Sequence, residues 1–267
     1  MNTFVRWAEN LADGFNRLPL WRRECKVWGL RFASATFERW LYLRLHGLGR
    51  MGRAECTALR RYVRPGMTVL DVGGNLGLYT LLLSRLVGPT GRVITFEPDP
   101  DLFALLQRNC ELNGCTNVEA HNLGLGGRRD RLVLRRMIFN SGDNTLGSGG
   151  NGLFRREVTV GIVPLDEFLP DLRPDFVKID VQGWELEVLH GMRCTLAACP
   201  AIALYLEYWP EGFRRAGYAA SEFTTFLRER GYRLRLAETG TDLDEAALTA
   251  LTARLTGLKH ADLLAQR

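Results

Sequence analysis

One stretch decides the fold: Val69-Leu70-Asp71-Val72-Gly73-Gly74-Asn75-Leu76-Gly77-Leu78-Tyr79. An apolar run ends in an acid, a glycine-rich turn follows, and the next residues have the apolar spacing of a helix. This order predicts a buried strand, a tight turn and the start of a helix. In α/β sheets, ligands bind at the carboxyl ends of strands, against helix N-termini. We therefore expect a binding site at the turn, where Gly73, Gly74 and Gly77 leave no side chain between the backbone and a ligand.

The turn differs from two common nucleotide-binding motifs. Counted from Gly73, the dinucleotide pattern G-x-G-x-x-G requires glycine where Asn75 and Leu78 stand, and counting from the next glycine fails in the same way. No Gly-Lys-Ser/Thr follows, so a P-loop is excluded as well. Asp71 at the strand end suits an ammonium group and would repel a phosphate. The turn therefore favours a ligand with an amine, a ribose and little phosphate, such as S-adenosylmethionine. The alternative is a tight turn that binds no ligand.

Further along the chain, strands that end in acids alternate with helices. Glu97 ends the second strand about one βαβ unit beyond the glycine turn, where a carboxylate can accept hydrogen bonds from both ribose hydroxyls. The segment His121–Leu125 follows the third strand, at a sheet edge where an adenine could stack. The predicted strands are 68–71, 92–97, 117–120, 176–180 and 201–207, followed by a closing antiparallel pair at 232–237 and 261–265. This alternation predicts a doubly wound α/β sheet.

Charge is unevenly distributed along the 267 residues. Residues 1–64 hold thirteen basic and five acidic side chains, a balance of +8 (13 − 5), whereas the whole chain is +5. A basic surface could meet nucleic acid, an acidic peptide or an anionic membrane, but a solvated helix face is the reading we favour. We predict a helical N-terminal extension over residues 1–60, interrupted near Pro19 and at Gly47–Gly52, and a main domain over 61–267.

Composition places the chain among cytoplasmic globular proteins. It is 46% apolar, and no apolar run is long enough to span a bilayer, so we expect no membrane insertion. None of the six cysteines forms a C-x-x-C pair, which predicts reduced thiols and a cytoplasmic location.

A polar, glycine-rich segment lies at 140–152, between two predicted strands at 132–136 and 157–163. It contains Ser141, Asp143 and Asn144. A loop of this length inside a domain is commonly functional. We interpret it as a lid or substrate loop, with a long hairpin as the alternative.

The chain resembles the FkbM-type methyltransferases, a family of S-adenosylmethionine-dependent enzymes. The resemblance runs from about residue 69 to 267 and rests on motifs in the family's order: Asp71-Val72-Gly73-Gly74-Asn75-Leu76-Gly77-Leu78-Tyr79, Phe96-Glu97-Pro98-Asp99-Pro100, Asn122-Leu123-Gly124-Leu125, Pro164-Leu165-Asp166, Lys178-Ile179-Asp180-Val181-Gln182-Gly183-Trp184-Glu185 and Leu206-Glu207. Two departures stand out. Trp184 replaces a residue that is usually small, and His190 stands where lysine is common, so both are expected to shape the substrate pocket.

The resemblance implies a Rossmann-like sheet of seven strands and methyl transfer, in most members to oxygen. Family members act on sugars, polyketides and other natural products, and some relatives modify nitrogen or peptides. The acceptor is thus expected to be a small molecule, a glycoside or a peptide, methylated on a hydroxyl oxygen or, alternatively, on an amide nitrogen. The resemblance leaves open whether the protein forms a homodimer. Together with the turn, the motifs predict the cofactor-binding residues: Asp71, Gly73, Gly74, Asn75, Gly77, Tyr79, Glu97, Pro98, Asn122, Leu123 and Asp180.

Three carboxylates are the candidates for the chemistry of methyl transfer. An alcohol acceptor has a high pKa and needs a general base or a metal. Asp180 and Glu207 end neighbouring predicted strands, and Glu185 lies in the first turn of the helix between them. Each also has a structural alternative: Asp180 as a ligand of the methionine amine, Glu185 as a favourable charge at a helix N-terminus, and Glu207 as a purely structural acid. Their oxygens could hold Mg²⁺, which we do not favour.

A different class of function is also compatible with the sequence. In that alternative the chain binds S-adenosylmethionine without catalysis, and the basic N-terminal region binds RNA or a carrier domain. An RNA methyltransferase is disfavoured because the chain has no Asn/Asp-Pro-Pro-aromatic motif. We therefore do not expect nucleic acid as a partner.

Overall fold

In the computed structural model, the described residues are 24–33, 53–137, 144–146 and 154–267. The strands are β1 (Glu24–Val27), β2 (Leu30–Ala33), β3 (Thr68–Val72), β4 (Arg92–Phe96), β5 (Val118–His121), β6 (Gly124–Leu125), β7 (Asp130–Met137), β8 (Thr145–Leu146), β9 (Phe154–Val163), β10 (Phe176–Ile179), β11 (Ala203–Tyr208), β12 (Arg233–Leu236) and β13 (Ala261–Gln266). The helices are α1 (Arg53–Tyr62), α2 (Leu78–Val87), α3 (Pro100–Leu112), α4 (Leu165–Phe168), α5 (Glu185–His190), α6 (Arg193–Ala198), α7 (Pro210–Ala216), α8 (Ala220–Glu229) and α9 (Glu245–Arg254).

A seven-stranded sheet forms the centre of the fold, in the order β12-β13-β11-β10-β3-β4-β5. The strands from β11 to β5 are parallel, and β13 lies antiparallel to both of its neighbours. This confirms the predicted Rossmann-like sheet with an antiparallel C-terminal strand. Because β3, β10 and β11 lie side by side, the residues that follow them meet at one edge of the sheet.

Each face of the sheet packs against its own hydrophobic layer. Leu70 and Leu206 point into one layer, and Val69 and Leu264 point into the other, as the alternation of side chains along a strand requires. The second face also carries a polar row, because Asp71, Lys178 and Tyr205 are in register across three neighbouring strands. Polar side chains in the middle of buried strands cost stability unless they are paired, so these three side chains are candidates for a functional role.

The N-terminal segment differs from the predicted helices. Residues 24–33 form the antiparallel hairpin β1–β2, so the helical prediction was wrong there, whereas α1 is helical as expected. The turn at Trp28 and Gly29 has φ of +54° and +75°, the left-handed pair that a two-residue hairpin turn requires. Buried residues that alternate along β1 and β2 pack the hairpin against the hydrophobic core beside α2. The rest of residues 1–52 lies outside the described part of the chain, and the boundary at 60/61 stays a prediction.

Two asparagines, one in α3 and one directly after it, attach the hairpin to the rest of the fold. The fully buried Asn109 accepts a hydrogen bond from Ala33 N at 2.7 Å and donates one to Leu76 O, also at 2.7 Å. Asn113 pairs with both backbone groups of Arg31, which is exposed to solvent. Asn109 therefore links the hairpin directly to the glycine turn.

We predict that Asn109→Ala lowers the free energy of unfolding by about 1–3 kcal/mol for each backbone group that it leaves unpaired. The matched variant Asn113→Ala should cost less, because water can replace its bonds at the exposed Arg31. Urea unfolding of both variants checks the difference. Equal losses would show that Asn109 is no more important than its neighbour.

A smaller sheet with the order β6-β9-β7-β8 packs beside the central one. Its strands β7 and β9 extend the two strands predicted around the polar loop. Of that loop only residues 144–146 are described, and Thr145–Leu146 pair with β7. Ser141 and Asp143 lie outside the described residues, so the lid interpretation stays a prediction.

Asp166 lies in the short helix α4 but caps a different helix. Its carboxylate accepts hydrogen bonds from Cys194 N at 2.7 Å and Thr195 N at 2.9 Å. It therefore caps α6, a helix that the sequence pattern did not predict. None of the helices in the described residues is long and apolar enough to cross a membrane.

Candidate functional site

The glycine turn is held tightly against the two strands beside β3. The amides of Gly73 and Gly74 both donate to Phe96 O, each at 3.0 Å. A Cβ on Gly73 would lie 2.0 Å from Asp180 O, and one on Gly74 would lie 2.4 Å from Thr95 Oγ1. Gly73 also has a φ of +88°. These glycines are thus required by the packing of the protein's own backbone, in addition to any ligand that approaches the turn.

Asp71 lies beneath this turn and is completely buried. Its Oδ2 accepts a hydrogen bond from Thr80 Oγ1 at 2.6 Å, while its Oδ1 is buried without a hydrogen-bond partner. Burial raises the pKa of this carboxyl, and the Lys178 cation opposes that shift. A buried carboxylate oxygen without a donor is rare and indicates either strain or a partner that arrives with a ligand.

Glu97 lies at the same edge, after β4. Its Oε2 accepts a hydrogen bond from Asn75 N at 2.7 Å and its Oε1 accepts one from Asp99 N at 2.9 Å. Burial raises its pKa to about 8, although both backbone bonds favour the charged form. Glu97, the residue predicted to bind the ribose hydroxyls, therefore lies beside the glycine turn, and two backbone amides fix the orientation of its carboxylate.

The predicted adenine region follows β5. Asn122 donates its side-chain amide to the carbonyls of Glu97 and Pro98, at 2.9 and 3.1 Å, so it holds the turn that carries Glu97. Leu123 is half-buried and packs against the apolar core. His121 stacks on Phe96, with ring centroids 4.9 Å apart.

Lys178 is a central residue of the site to which the sequence analysis gave no role. It is buried in β10, and its Nζ lies 3.0 Å from Asp180 Oδ2 and 4.6 Å from the centre of the Tyr79 ring. Burial disfavours its charge, but Asp180 and Asp71 hold its pKa above the ordinary lysine value. A lysine in the middle of an otherwise apolar strand was the signal that could have identified it.

Asp180 and Glu207 meet through one bridging side chain. Gln182 Nε2 donates to Asp180 Oδ1 at 3.1 Å and also lies 3.1 Å from Glu207 Oε2. Burial opposes the charge of Asp180, but attraction to Lys178 lowers its pKa below the usual range. Burial raises the pKa of Glu207 well above its ordinary value, and the charges of Asp180 and Glu185 add to this. The two carboxylates therefore differ in the direction of their pKa shift, which is downward for Asp180 and upward for Glu207.

Glu185, the third predicted carboxylate, has a different setting. It is completely buried, and its Oε1 accepts hydrogen bonds from Val181 N at 3.0 Å and Gly183 N at 3.3 Å. Its Oε2 is buried without a hydrogen-bond partner, and burial raises its pKa to about 7. These bonds stabilise the turn that carries Gln182, whose φ of +56° is uncommon for a residue with a side chain.

The raised pKa of Glu185 predicts a pH-dependent stability. A folded-state pKa above the unfolded one stabilises the protein at low pH, and that contribution is lost as the pH rises from 4.5 towards about 7. Glu185→Gln imitates the protonated acid. Across this pH window, we expect its free energy of unfolding to fall by about 1–3 kcal/mol less than that of the wild type. Urea unfolding at a series of pH values checks this. The exposed control Glu229→Gln should follow the wild type, and parallel curves for all three proteins would contradict the assignment.

The predicted substrate residues are only partly brought to this edge. Trp184 is the residue before α5, and its Nε1 is buried without a hydrogen-bond partner, close to Gly126, which follows β6. Asn144 is half-buried in the short described part of the polar loop. Within the described part of the chain, no group of three or more His, Cys, Asp or Glu side chains is arranged to hold a metal ion.

Comparison with known proteins finds methyltransferases among the relatives of this chain. Methyltransferase 1 of Beauveria bassiana is 33% identical over 144 residues, which cover 46% of this chain and 57% of that protein. Methyltransferase sdnD of Sordaria araneosa is 30% identical over 155 residues, covering 46% of this chain and 60% of that protein. The chain thus spans somewhat more than half the length of these relatives. The hexuronic acid methyltransferase AglP of Haloferax volcanii is 25% identical over 178 residues, covering 65% of this chain and 66% of that protein.

A solved TehB-like methyltransferase from Corynebacterium glutamicum aligns with a TM-score of 0.48 and 11% identity, over 86% of this chain and 94% of that one. The model of the methyltransferase FkbM domain matches residues 71–234, more than half of the chain. Those residues contain the glycine turn, Glu97 and the three carboxylates described above. The chain therefore belongs to the FkbM methyltransferase family.

Proposed function

We propose that this protein transfers a methyl group from S-adenosylmethionine to a hydroxyl group of a small natural product, a sugar or a peptide. One observation carries the proposal: Glu207 is a buried glutamate with a raised pKa, and Gln182 links it to Asp180. Asp180 follows β10, and its backbone carbonyl lies against Gly73 of the glycine turn. The family membership supports methyl transfer, and the names of the relatives favour small acceptors.

The residues around the turn fit the proposed cofactor. The buried Oδ1 of Asp71 lacks a donor, which the amino group of the cofactor could supply, and Asp180 offers a second carboxylate at the same edge. Glu97 is the proposed acceptor for the ribose hydroxyls, and the segment after His121 is the proposed contact for the adenine. When bound, S-adenosylmethionine supplies a methyl group on a positively charged sulfur.

Glu207 is the proposed general base. An alcohol must lose its proton as it reacts, and a carboxylate whose pKa approaches the working pH is a better base than an ordinary one. Burial and the neighbouring carboxylates raise the pKa of Glu207 well above its ordinary value. Asp180 stays ionised beside Lys178, and Gln182 holds both carboxylates in place. Glu185 is proposed to act through the turn, since one of its oxygens is occupied by two backbone amides.

Two measurements test this function. Calorimetry should show that S-adenosylhomocysteine binds with one site per chain, and labelled methyl from S-adenosylmethionine should appear in a sugar or natural-product acceptor. NMR of the product then distinguishes an O-methyl from an N-methyl group. Failure of S-adenosylhomocysteine to bind would refute the proposal. Binding without transfer to any acceptor in a broad panel would favour the non-catalytic alternative.

A further inference from the structure

A cavity of about 220 Å³ lies between α1 and the strands β11, β12 and β13. Glu207 lies on β11, the strand on the cofactor side of this cavity. Its walls include Glu55 from the first turn of α1, Tyr205 from β11 and Asp262 from β13. A volume of this size can hold a small molecule or the end of a larger one. The cavity is separate from the glycine turn, which follows β3 two strands away.

The cavity is connected to the proposed base. Glu207 and Asp262 are paired in register between β11 and β13, so their side chains lie on the same face. His260, which lines the cavity, has its Nδ1 3.7 Å from Glu207 Oε1. Tyr205 donates its hydroxyl to Asp262 Oδ2 at 2.7 Å. A molecule in the cavity would therefore lie next to the carboxylates at the sheet edge.

The lining of the cavity is acidic. Among the residues that the structure describes, it contains the carboxylates of Glu55, Glu238 and Asp262 and no lysine or arginine. Burial raises the pKa of Asp262 to about 6, and the charge of Glu55 adds to this effect. A positively charged group in the cavity would stabilise these carboxylates, whereas an anion would be repelled by them.

The walls come mostly from outside the family domain. The FkbM match ends at residue 234 and begins at 71, so of the cavity lining only Tyr205 lies within it. The cofactor side of the proposed site is therefore built from the matched domain, and most of the cavity wall is built from residues outside it. This is the division expected if the cavity determines which acceptor is used.

We propose that this cavity binds the methyl acceptor and selects acceptors that carry a protonated amine, such as an amino sugar, with Glu55 and Asp262 holding the amine. The inference rests on the proposed function and narrows its substrate class. The acceptor proposed here carries a positive charge, whereas a hexuronic acid, for which the relative AglP is named, carries a carboxylate.

The test compares three sugars that share a ring and differ in charge: glucosamine, glucose and glucuronic acid. Each is titrated into ¹⁵N-labelled protein saturated with S-adenosylhomocysteine, at a pH at which the amine is protonated. Glucosamine should shift the amide signals of Thr239 and His260, and the other two sugars should bind at least about tenfold more weakly. Equal binding of glucose or glucuronic acid, or no shift with glucosamine, would overturn the proposal.

Variants locate the amine. Glu55→Gln and Asp262→Asn should each weaken glucosamine binding about tenfold. The matched control Glu111→Gln, an exposed acid at the end of α3, should leave it unchanged. S-adenosylhomocysteine affinity is measured for every protein. If the wild type binds S-adenosylhomocysteine normally but binds the three sugars equally well, only the acceptor assignment is refuted. Failure of the wild type to bind S-adenosylhomocysteine refutes the proposed function itself.

Discussion

Gly73→Ala is expected to lower the free energy of unfolding by about 2–5 kcal/mol and to abolish S-adenosylhomocysteine binding. The added Cβ would lie 2.0 Å from the carbonyl oxygen of Asp180, a backbone atom that cannot move without shifting β10. The residue would also be forced to keep a φ of +88°. Thermal and urea unfolding measure the first effect, and calorimetry measures the second.

Gly114→Ala is the matched control for this prediction. Gly114 also has a positive φ, +64°, but a Cβ there would meet nothing within 4 Å. Its cost should be the backbone strain alone, about 1–2 kcal/mol, with cofactor affinity unchanged. If both variants lose the same stability, the close approach between the turn and Asp180 is not important in solution.

Glu207→Gln is expected to lower turnover by about 10²–10⁴-fold while S-adenosylhomocysteine affinity is retained. The amide keeps the shape of the side chain and can still accept from Gln182, but it cannot take a proton. Because burial and nearby carboxylates raise the pKa of Glu207, the wild-type rate should increase with pH as this group ionises. The variant should lack that increase. Rates measured over a pH series with a saturating acceptor provide the check.

The control for Glu207 is Glu211→Gln. Glu211 lies on α7, where it forms ion pairs with Arg214 and Arg215 at the surface. This change should leave turnover unchanged, because exposed ion pairs contribute little to stability. A Glu207→Gln enzyme with turnover close to the wild type would remove Glu207 as the base and return the role to Asp180 or Glu185.

The sheet was predictable because its strands are short apolar runs that end in acids. The apolar runs before Asp71 and Asp180 are typical of buried strands, and the family resemblance implied that seven strands form one sheet. The hairpin at residues 24–33 was missed because its turn requires left-handed backbone at Trp28. Such turns usually contain asparagine, aspartate or glycine, so a tryptophan at this position does not indicate one. Aromatic and apolar residues at nearly helical spacing then suggested a helix instead.

The candidate site was predictable in its residues but not in how they interact. The predicted strands and helix brought Asp180, Glu185 and Glu207 to one edge of the sheet. The spacing of these residues in the sequence cannot show that Glu185 accepts hydrogen bonds from the backbone amides of the preceding turn. It also could not show that Lys178 lies between two acids, because that contact depends on the register of β10 against β3. Register is a property of the whole sheet and is not encoded in any one motif.

The position of β13 has a consequence for how the protein is made. In the central sheet, β12 pairs only with β13, although β13 follows it by more than twenty residues. On the ribosome, the strands from β3 to β11 can assemble as they emerge, but β11 stays an open edge until residues 261–266 appear. A nascent chain would thus possess its glycine turn before the acidic cavity exists, and chaperone protection during synthesis would be needed most at the strand that carries Glu207.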